Sequence, residues 1–358
     1  MKKILISTGG SGGHVIPSLS IYDHLKKEFN VCLVTDRRGS KFIDENLYKF
    51  DIVDVPNISS KIYLLPINLI FFLISFFKSF FYLKKNKIDF LISTGGYMSL
   101  AFCFASKILG IEIILFEPNA VIGRSNKLIL QFSKRIICYH KNIPNFPRKY
   151  LKKIYLINPI LKKEIYNLNL NLNNNFSNEI KILIIGGSQG AIFFDKAIEE
   201  VIKILSKNYR IKLIQQIFDD KKIEKLKEVY VALNVSYQFF KYEKDLYKKF
   251  EGINLAISRC GASTLSELSY AGIPFIAVPF PFAKDNHQYY NAKHYKDHNL
   301  CWLIEQKDFI PVSVGDFIHN LFTERVNYQE TKTNLNKYSY QNTWNNKNQK
   351  LINLINEN

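Results

Sequence analysis

The chain opens on an apolar run, Ile4-Leu5-Ile6, which stops at Ser7-Thr8 and gives way to Gly9-Gly10-Ser11-Gly12-Gly13-His14. No other stretch restricts the fold as much. A short, wholly apolar segment reads as a strand buried on both faces, which points to a parallel sheet. Four glycines within five positions let the backbone turn tightly and come close to a ligand. Pro17 and the spacing of Leu19, Ile21 and Leu25 then predict a helix. A glycine turn entering a helix leaves unpaired N–H groups at the positive end of the helix dipole, a seat for an anion. His14 stands at the mouth of that seat. The same grammar returns at 180–185, followed by Gly186-Gly187-Ser188-Gln189-Gly190. Two such units predict two similar α/β halves facing one cleft.

Two nucleotide motifs are tested directly. The phosphate loop of NTPases needs Lys-Ser/Thr after its last glycine, and His14-Val15 and Ala191-Ile192 stand there instead. The dinucleotide fingerprint G-x-G-x-x-G is met at Gly10 and Gly12 but has Val15 in place of its third glycine. Asp36 ends the second predicted strand, where a ribose-binding acid belongs. A nicotinamide-dependent dehydrogenase therefore stays open, as does a pair of tight turns that bind nothing.

A length of 358 residues implies two or three domains and ample core. The net charge of +18 favours anionic partners, a membrane surface or a phosphorylated substrate. Nucleic acid is not expected, because the lysines are spread along the chain and no nucleic-acid module is recognisable. Cys32, Cys103, Cys138, Cys260 and Cys301 are odd in number and lie mostly in apolar runs. That fits reduced thiols in the cytoplasm. The chain enters a strand at once, so no signal peptide is expected.

Residues 62–83 are unusually greasy, with Leu69-Ile70-Phe71-Phe72-Leu73-Ile74, Phe76-Phe77 and Phe80-Phe81-Tyr82. Pro66, Asn68 and Lys78 interrupt the run, and Lys84, Lys85 and Lys87 follow it. Three readings compete: a buried core helix, a surface helix dipping into an anionic bilayer, and a true span. The third would split the sheet. Further strands are expected at 31–35, 52–55, 90–94, 112–116, 135–138 and 154–157, and helices at 97–109 and 122–132. Residues 167–178 are mostly Asn and Leu, without clear periodicity. Alternation resumes with strands at 181–185, 211–215, 236–240, 254–257 and 275–278, and helices at 191–205, 221–229 and 244–250. Ser263 or Thr264 can cap a helix after Gly261. The divisions expected are 1–160, a linker 161–179, a second domain 180–335, and a final segment 336–358 that packs back toward the first domain. Alternating β and α elements place ligands at the carboxyl ends of the strands.

Taken in order and spacing, Gly9 to His14 with Val15 and Pro17, Gly95-Gly96-Tyr97, Asn158-Pro159, Gly186 to Gly190, Ser258 to Glu267, and Asp285 to Gln288 with Asn291-Ala292 resemble the MurG family. Its members transfer N-acetylglucosamine from UDP-N-acetylglucosamine to lipid I, giving lipid II for peptidoglycan. The resemblance implies an α/β GT-B glycosyltransferase, with two Rossmann-like domains and parallel sheets around a cleft. It implies no cofactor, the donor and lipid I as partners, and a peripheral place on the cytoplasmic face of the bacterial inner membrane. Residues 62–83 and the nearby lysines would meet the anionic surface. By the same resemblance Ser188, Ala262, Ser263, Thr264, Leu265, Ser266 and Glu267 would reach the sugar nucleotide. Glu267 would hold the ribose and Gln288 the sugar hydroxyls. Ser11, Gly12, Gly13 and Asn119 would close over the donor and meet the acceptor, and Tyr242-Glu243 would flank the uracil. Another UDP-sugar enzyme of the same fold is the alternative. This chain departs from the family at Leu161, where Arg is usual, and at Pro118 and His287, where Gln is usual. Lys162, Lys163 or Arg124 would stand in for the missing Arg.

A nucleotide leaving group carries two negative charges, and the sequence has no Asp-x-Asp triplet of the kind that holds a metal in many transferases. Backbone N–H groups and a cation such as Arg259 are then expected to meet the charge. The acceptor hydroxyl needs a general base, and His14 is the candidate. Alternatively, His14 only hydrogen-bonds its loop or a phosphate. His287, His294 and His298 lack an acidic partner in metal-binding spacing and read as a solvated helix face.

Overall fold

The computed structural model describes residues 1–54, 65–168, 179–241 and 243–357, the side chains of 65 and 188–191 apart. The chain divides into two units: Met1–Tyr166 with Trp344–Asn358, and Asn167–Thr343. In chain order, unit 1 contains β1 (Lys3–Ser7), α1 (Gly12–Leu25), β2 (Asn30–Thr35), α2 (Arg37–Ser40), β3 (Asp51–Ile52), α3 (Leu65–Asn86) and β4 (Phe90–Ser93). It continues with α4 (Tyr97–Leu109), β5 (Glu112–Glu117), α5 (Arg124–Ile129), β6 (Arg135–Cys138), β7 (Ile154–Leu156) and α6 (Lys163–Tyr166). Its sheet runs β3-β2-β1-β4-β5-β6-β7, every described pair parallel.

Unit 2 holds β8 (Glu179–Ile185), α7 (Gly187–Leu205), β9 (Arg210–Gln216), α8 (Asp220–Ala232), β10 (Ser236–Phe240) and β11 (Leu255–Ser258). After these come α9 (Ala262–Tyr270), β12 (Phe275–Ala277), α10 (His287–Asp297), β13 (Trp302–Leu303), α11 (Pro311–Glu324) and α12 (Val326–Tyr340). The order β10-β9-β8-β11-β12-β13 is again parallel. Helix α13 (Trp344–Asn356) closes unit 1. The two apolar runs are the central strands, as a strand buried on both faces must be. Ile4 lies between Val31 and Phe90, and Ile182 between Leu213 and Leu255.

Several elements differ from the sequence reading. Helix α7 begins at Gly187, inside the glycine stretch and before the expected Ala191. Residues 122–132 give only the short α5, because Gly123 is its N-cap and the chain turns again after Ile129. The helix expected at 244–250 is a single 3-10 turn, Leu246–Lys249. The final segment begins at Trp344, since α12 packs on α9 in unit 2. Residues 169–178 of the expected linker lie outside the described residues.

Helix α3 has its polarity inverted. Its inward stripe carries Asn68, Ser75, Ser79 and Leu83, all buried, with Phe72, Phe76 and Phe80 partly buried beside them. The two serines return their hydroxyls to the carbonyls of Phe71 and Ser75, both at 2.8 Å. Small, self-satisfied residues let α3 lie close along α4, with Phe72 edge-on to Phe104 at 5.7 Å. The outward face is apolar: Leu69, Ile70, Phe77 and Phe81 are 59, 55, 54 and 63% exposed, and Ile67, Leu73 and Ile74 join them. The helix is therefore neither a fully buried core helix nor free of the domain on all sides.

Helix α13 is docked on α1. Leu351, Leu354 and Ile355 enter the unit 1 core with Leu19, Ile21 and Leu25. The Trp344 ring stacks on His24 at 3.6 Å, and Tyr166 meets both rings edge-on. Burial pulls the His24 pKa down to about 4, more than its Asn348 contact restores. The ordinary value is about 6.5, so between these two values His24 takes up the proton when α13 is detached and not when it is docked. Stability of the dock therefore falls as pH drops from about 6.5 to 4, by roughly 3 kcal/mol in all. The protection factor of 344–356, the exchange rate corrected for its intrinsic pH dependence, is expected to fall across that window in the parent and not in His24→Phe.

Candidate active site

In unit 1 the site residues gather at the carboxyl ends of β1, β4 and β5, which are neighbours in the sheet. After β1 the chain turns through Gly10, at φ +82°, whose N–H donates to Asp36 Oδ1 at 2.9 Å. The same oxygen accepts from Gly39 N–H at 2.8 Å, and Oδ2 receives the Arg38 guanidinium at 3.0 and 2.8 Å. Burial alone would raise the Asp36 pKa, but these hydrogen bonds and Arg38 outweigh it and hold the carboxyl below its usual range. Asp36 is thus occupied by the glycine loop itself, which removes it from a ribose-binding role.

Helix α1 starts at Gly12 with Ser11 as an N-cap whose side chain makes no capping bond. His14 N–H and Val15 N–H both reach back to the Ser11 carbonyl, at 3.0 and 3.2 Å. By helix geometry the Gly12 and Gly13 N–H groups have no partner inside the helix. The His14 ring lies against the second glycine turn, with Nδ1 at 2.7 Å from the Thr94 carbonyl. A carbonyl only accepts, so Nδ1 carries the hydrogen and Nε2 keeps a lone pair. Gly95 and Gly96 sit at φ +90° and +85°, where other residues are strained. A Cβ on Gly95 would also stand 3.3 Å from His14 Cε1. The second glycine pair therefore makes the bed for the histidine of the first.

After β5, Glu117 is buried at 2% exposure and receives Asn119 Nδ2 at 3.0 Å, Gly123 N–H at 2.7 Å and Asn126 Nδ2 at 3.0 Å. Ser11, Gly12, Gly13, His14 and Asn119 thus share the carboxyl edge of one sheet. Leu161 is buried, with its N–H on the Tyr166 hydroxyl at 3.2 Å, so no side chain is presented from the position where the family carries Arg.

In unit 2 the glycine loop is pinned from below. Gln216 Oε1 accepts the N–H groups of Gly186 and Gly187, each at 3.0 Å, while its amide donates to the Lys241 carbonyl at 2.8 Å. Ser188 lies in the first turn of α7, and its side chain is outside the described set. Helix α9 is capped by Gly261, not by Ser263 or Thr264, and Gly261 supplies no side chain. Leu265 N–H is the first to bond within the helix, to the Gly261 carbonyl at 3.0 Å. The N–H groups of Ala262, Ser263 and Thr264 precede it and lack intrahelical partners. Two side chains of the run point inward: Leu265 is fully buried, and the Ser266 hydroxyl donates to the Ala262 carbonyl at 2.7 Å beside Tyr295.

Gln288 stands in the first turn of α10. Its Oε1 accepts from Cys260 N–H at 3.1 Å and Phe280 N–H at 2.9 Å, so its amide hydrogens point elsewhere. Three residues on, Asn291 Nδ2 donates to the Cys260 carbonyl at 3.1 Å. One helix face thus grips both the N–H and the carbonyl of the residue that leads into α9.

Arg259 differs from the sequence expectation. Its guanidinium is buried, bonds the Val278 and Pro279 carbonyls at 3.2 and 3.0 Å, and lies over the rings of Phe193, Phe194 and Phe280. Burial lowers its pKa to about 10. Its charge is spent inside the domain and does not face a leaving group. His294 and His298 lie 4.5 Å apart, and burial, helped by His298, pulls His294 down to about 4. No cluster of three His, Cys, Asp or Glu side chains suited to a metal occurs among the described residues. Tyr242 lies outside the described residues, and Glu243 pairs with Lys249 at 3.5 Å. The sequence reading gave no role to Gln216, Glu117, Asn126 or Asn291. The first two share a signal, a polar residue at the carboxyl end of a strand.

Two Rossmann-like units, each with helix N-termini opened by glycine turns, form a scaffold suited to a nucleotide-bearing substrate. Residues 4–138 match the glycosyltransferase family 28 N-terminal domain, and 181–345 match the family's C-terminal domain. The chain belongs to glycosyltransferase family 28. A Pelagibacter ubique protein named UDP-N-acetylglucosamine–N-acetylmuramyl-(pentapeptide) pyrophosphoryl-undecaprenol N-acetylglucosamine transferase is 43% identical across 100% of this chain and 99% of its own length. The protein of the same name from Rickettsia felis is 34% identical, with 94% and 95% covered. Among solved structures, Acinetobacter baumannii MurG superposes at a TM-score of 0.78 over the whole of both chains with 22% identity. The S. aureus MnaA–UDP structure superposes at 0.61, with 12% identity and 93% and 91% covered. These likenesses place the GT-B fold, and membership of family 28 closes the dehydrogenase alternative.

Proposed function

We propose that this enzyme transfers N-acetylglucosamine from UDP-N-acetylglucosamine to the 4-hydroxyl of lipid I in an inverting, single displacement. The names of the full-length relatives support the substrates. The observation that carries the mechanism is the orientation of His14, with Nδ1 tied to the Thr94 carbonyl and Nε2 left basic. Nε2 takes the proton of the acceptor hydroxyl as its oxygen bonds to the anomeric carbon. The bond from that carbon to the diphosphate breaks, and UDP departs with the electron pair. The growing negative charge meets the N–H groups of Ala262, Ser263 and Thr264 at the start of α9 and those around Ser188 in α7. Preorganised dipoles stabilise such charge without having to reorient.

On the donor side, Glu267 holds the ribose hydroxyls and the amide of Gln288 donates to the sugar hydroxyls. Ser11, Gly12, Gly13 and Asn119 of unit 1 face the reacting groups. The absence of an Asp-x-Asp triplet from the sequence favours transfer without a divalent ion. With radiolabelled donor and lipid I in detergent, full transfer is expected in the presence of EDTA. Loss of transfer on chelation would overturn the metal-free mechanism, and label going to no lipid product would overturn the acceptor.

The enzyme is a peripheral protein of the cytoplasmic face of the bacterial inner membrane in this reading. Helix α3 lies in the interface, its inner stripe on α4 and its outer face among acyl chains. Burying one Leu or Phe fully is worth ~1.5–3 kcal/mol. A lysine near an anionic leaflet adds about 1 kcal/mol, and Lys78, Lys84, Lys85 and Lys87 are placed to do so. Packing along α4 and within one parallel sheet disfavours a span.

A further inference from the structure

Glu117 is a carboxylate without an ion pair among the described residues, yet it is 2% exposed and saturated by donors. Oε1 takes both the backbone N–H of Asn119, at 3.3 Å, and its side-chain Nδ2, at 3.0 Å. Oε2 takes the backbone N–H of Gly123 at 2.7 Å and Asn126 Nδ2 at 3.0 Å. The loop is closed tightly on it, since a Cβ on Gly123 would stand 3.1 Å from Oε2. Asn126 Nδ2 also donates to the Phe116 carbonyl at 3.1 Å and lies 3.5 Å from where a Gly95 Cβ would be. One buried charge therefore reaches Asn119 on one side and the glycine turn bearing His14 on the other. Burying a carboxylate is costly unless hydrogen bonds compensate, so a purely apolar filler would serve packing better.

We propose that Glu117 is a positioning residue that sets which atom Asn119 offers to the sugar substrate. One Nδ2 hydrogen on the carboxylate fixes the amide's orientation, so Asn119 turns its oxygen away from Glu117 to accept a hydrogen bond from a sugar hydroxyl. The inference rests on the reading that Asn119 faces substrate. Its chemistry is that of a polarity pair: an acceptor inside fixes a donor toward it and an acceptor outward.

An isosteric polarity swap tests it. Glu117→Gln keeps size but places an amide against donors, so Asn119 turns its amide outward. The expected loss in kcat is on the order of a hundredfold, as for a misplaced contact at a reacting centre, with the melting temperature little changed. Asn119→Asp sets two carboxylates against each other and is expected to lose as much. The double variant combines both changes. There the amide introduced at position 117 donates to the carboxylate introduced at position 119. The amide oxygen at 117 still accepts from Gly123 and Asn126, and an oxygen at 119 again faces outward. The double is expected to recover at least about tenfold over either single variant, a coupling that a double-mutant cycle isolates.

A mere filler role leaves Glu117→Gln near the parent, and that result overturns the proposal. So does a double variant that is folded but no better than the singles; it loses only the long bond from the Asn119 backbone N–H. Should Glu117→Gln alone not fold, recovery in the double still supports the proposal. Asn119→Ala separates the two levels. Full activity there sinks the substrate-facing reading of Asn119, whereas loss there with an active Glu117→Gln sinks only the role given to Glu117.

Discussion

Replacing His14 by alanine is expected to lower kcat by about a hundredfold to ten-thousandfold, the range that a positioned general base contributes. Binding of the UDP-sugar, measured by calorimetry on the same preparation, should change little, because the proposed mechanism puts the ribose, sugar and diphosphate contacts mainly on α9, α10 and α7. The two readings of His14 differ on that split. A histidine that only grips a phosphate would weaken donor affinity and leave the bound complex turning over. Near-normal turnover in His14→Ala would move the base elsewhere. The bed under the ring supplies an independent check: any Cβ placed on Gly95 would stand 3.3 Å from His14 Cε1, so filling that turn presses on the ring and strains the φ +90° backbone beneath it.

The second large effect concerns the outer face of α3. Changing Leu73, Phe77 and Phe81 together to serine removes three exposed apolar side chains, with the edge contacts of Phe77 to Phe76 and Phe81 to Phe80, and leaves the buried stripe of the helix in place. If each is about half-buried in lipid at ~1 kcal/mol, partitioning onto anionic vesicles falls by two to three powers of ten. Transfer in detergent should stay near the parent value, since the reacting residues lie on other elements. Equal binding of parent and variant to vesicles would dismiss the lipid-facing reading of this helix. Strong binding of the parent to neutral vesicles would dismiss the lysine contribution alone.

Much of this architecture was legible because apolar strands at the centre of a parallel sheet leave an unbroken signature. Ile4-Leu5-Ile6 and the run from Ile182 to Ile185 are buried on both faces, so no polar alternation blurs them. Elements at the margins were harder to read. Trp302–Leu303 is an edge strand of two residues, too short for any periodicity. Helix α12 shows a polar face rich in Asn, Gln, Thr and Lys, and its buried positions include Thr331, Lys332 and Ser339. Glycine misled in one place: Gly187 reads as loop, yet it takes φ +66° at the opening of α7. The glycine turns were found through their order along the chain, while the residues that support them were given no role. Gln216 and Asn291 act through backbone groups of other loops, and Glu117 through the loop that follows it, contacts that residue type alone does not specify. Arg259 and Ser266 show the converse, polar residues in a conspicuous motif that the fold turns inward.

Tyr166 and Trp344, the last residue of unit 1 before the crossing and the first after the return, have rings 5.6 Å apart. Unit 2 is thus inserted into unit 1 along the chain, as a loop is held by a clasp. During synthesis the first unit emerges early but lacks Leu351, Leu354 and Ile355, which its interior requires. Those three side chains can join that core only after the second unit has been made.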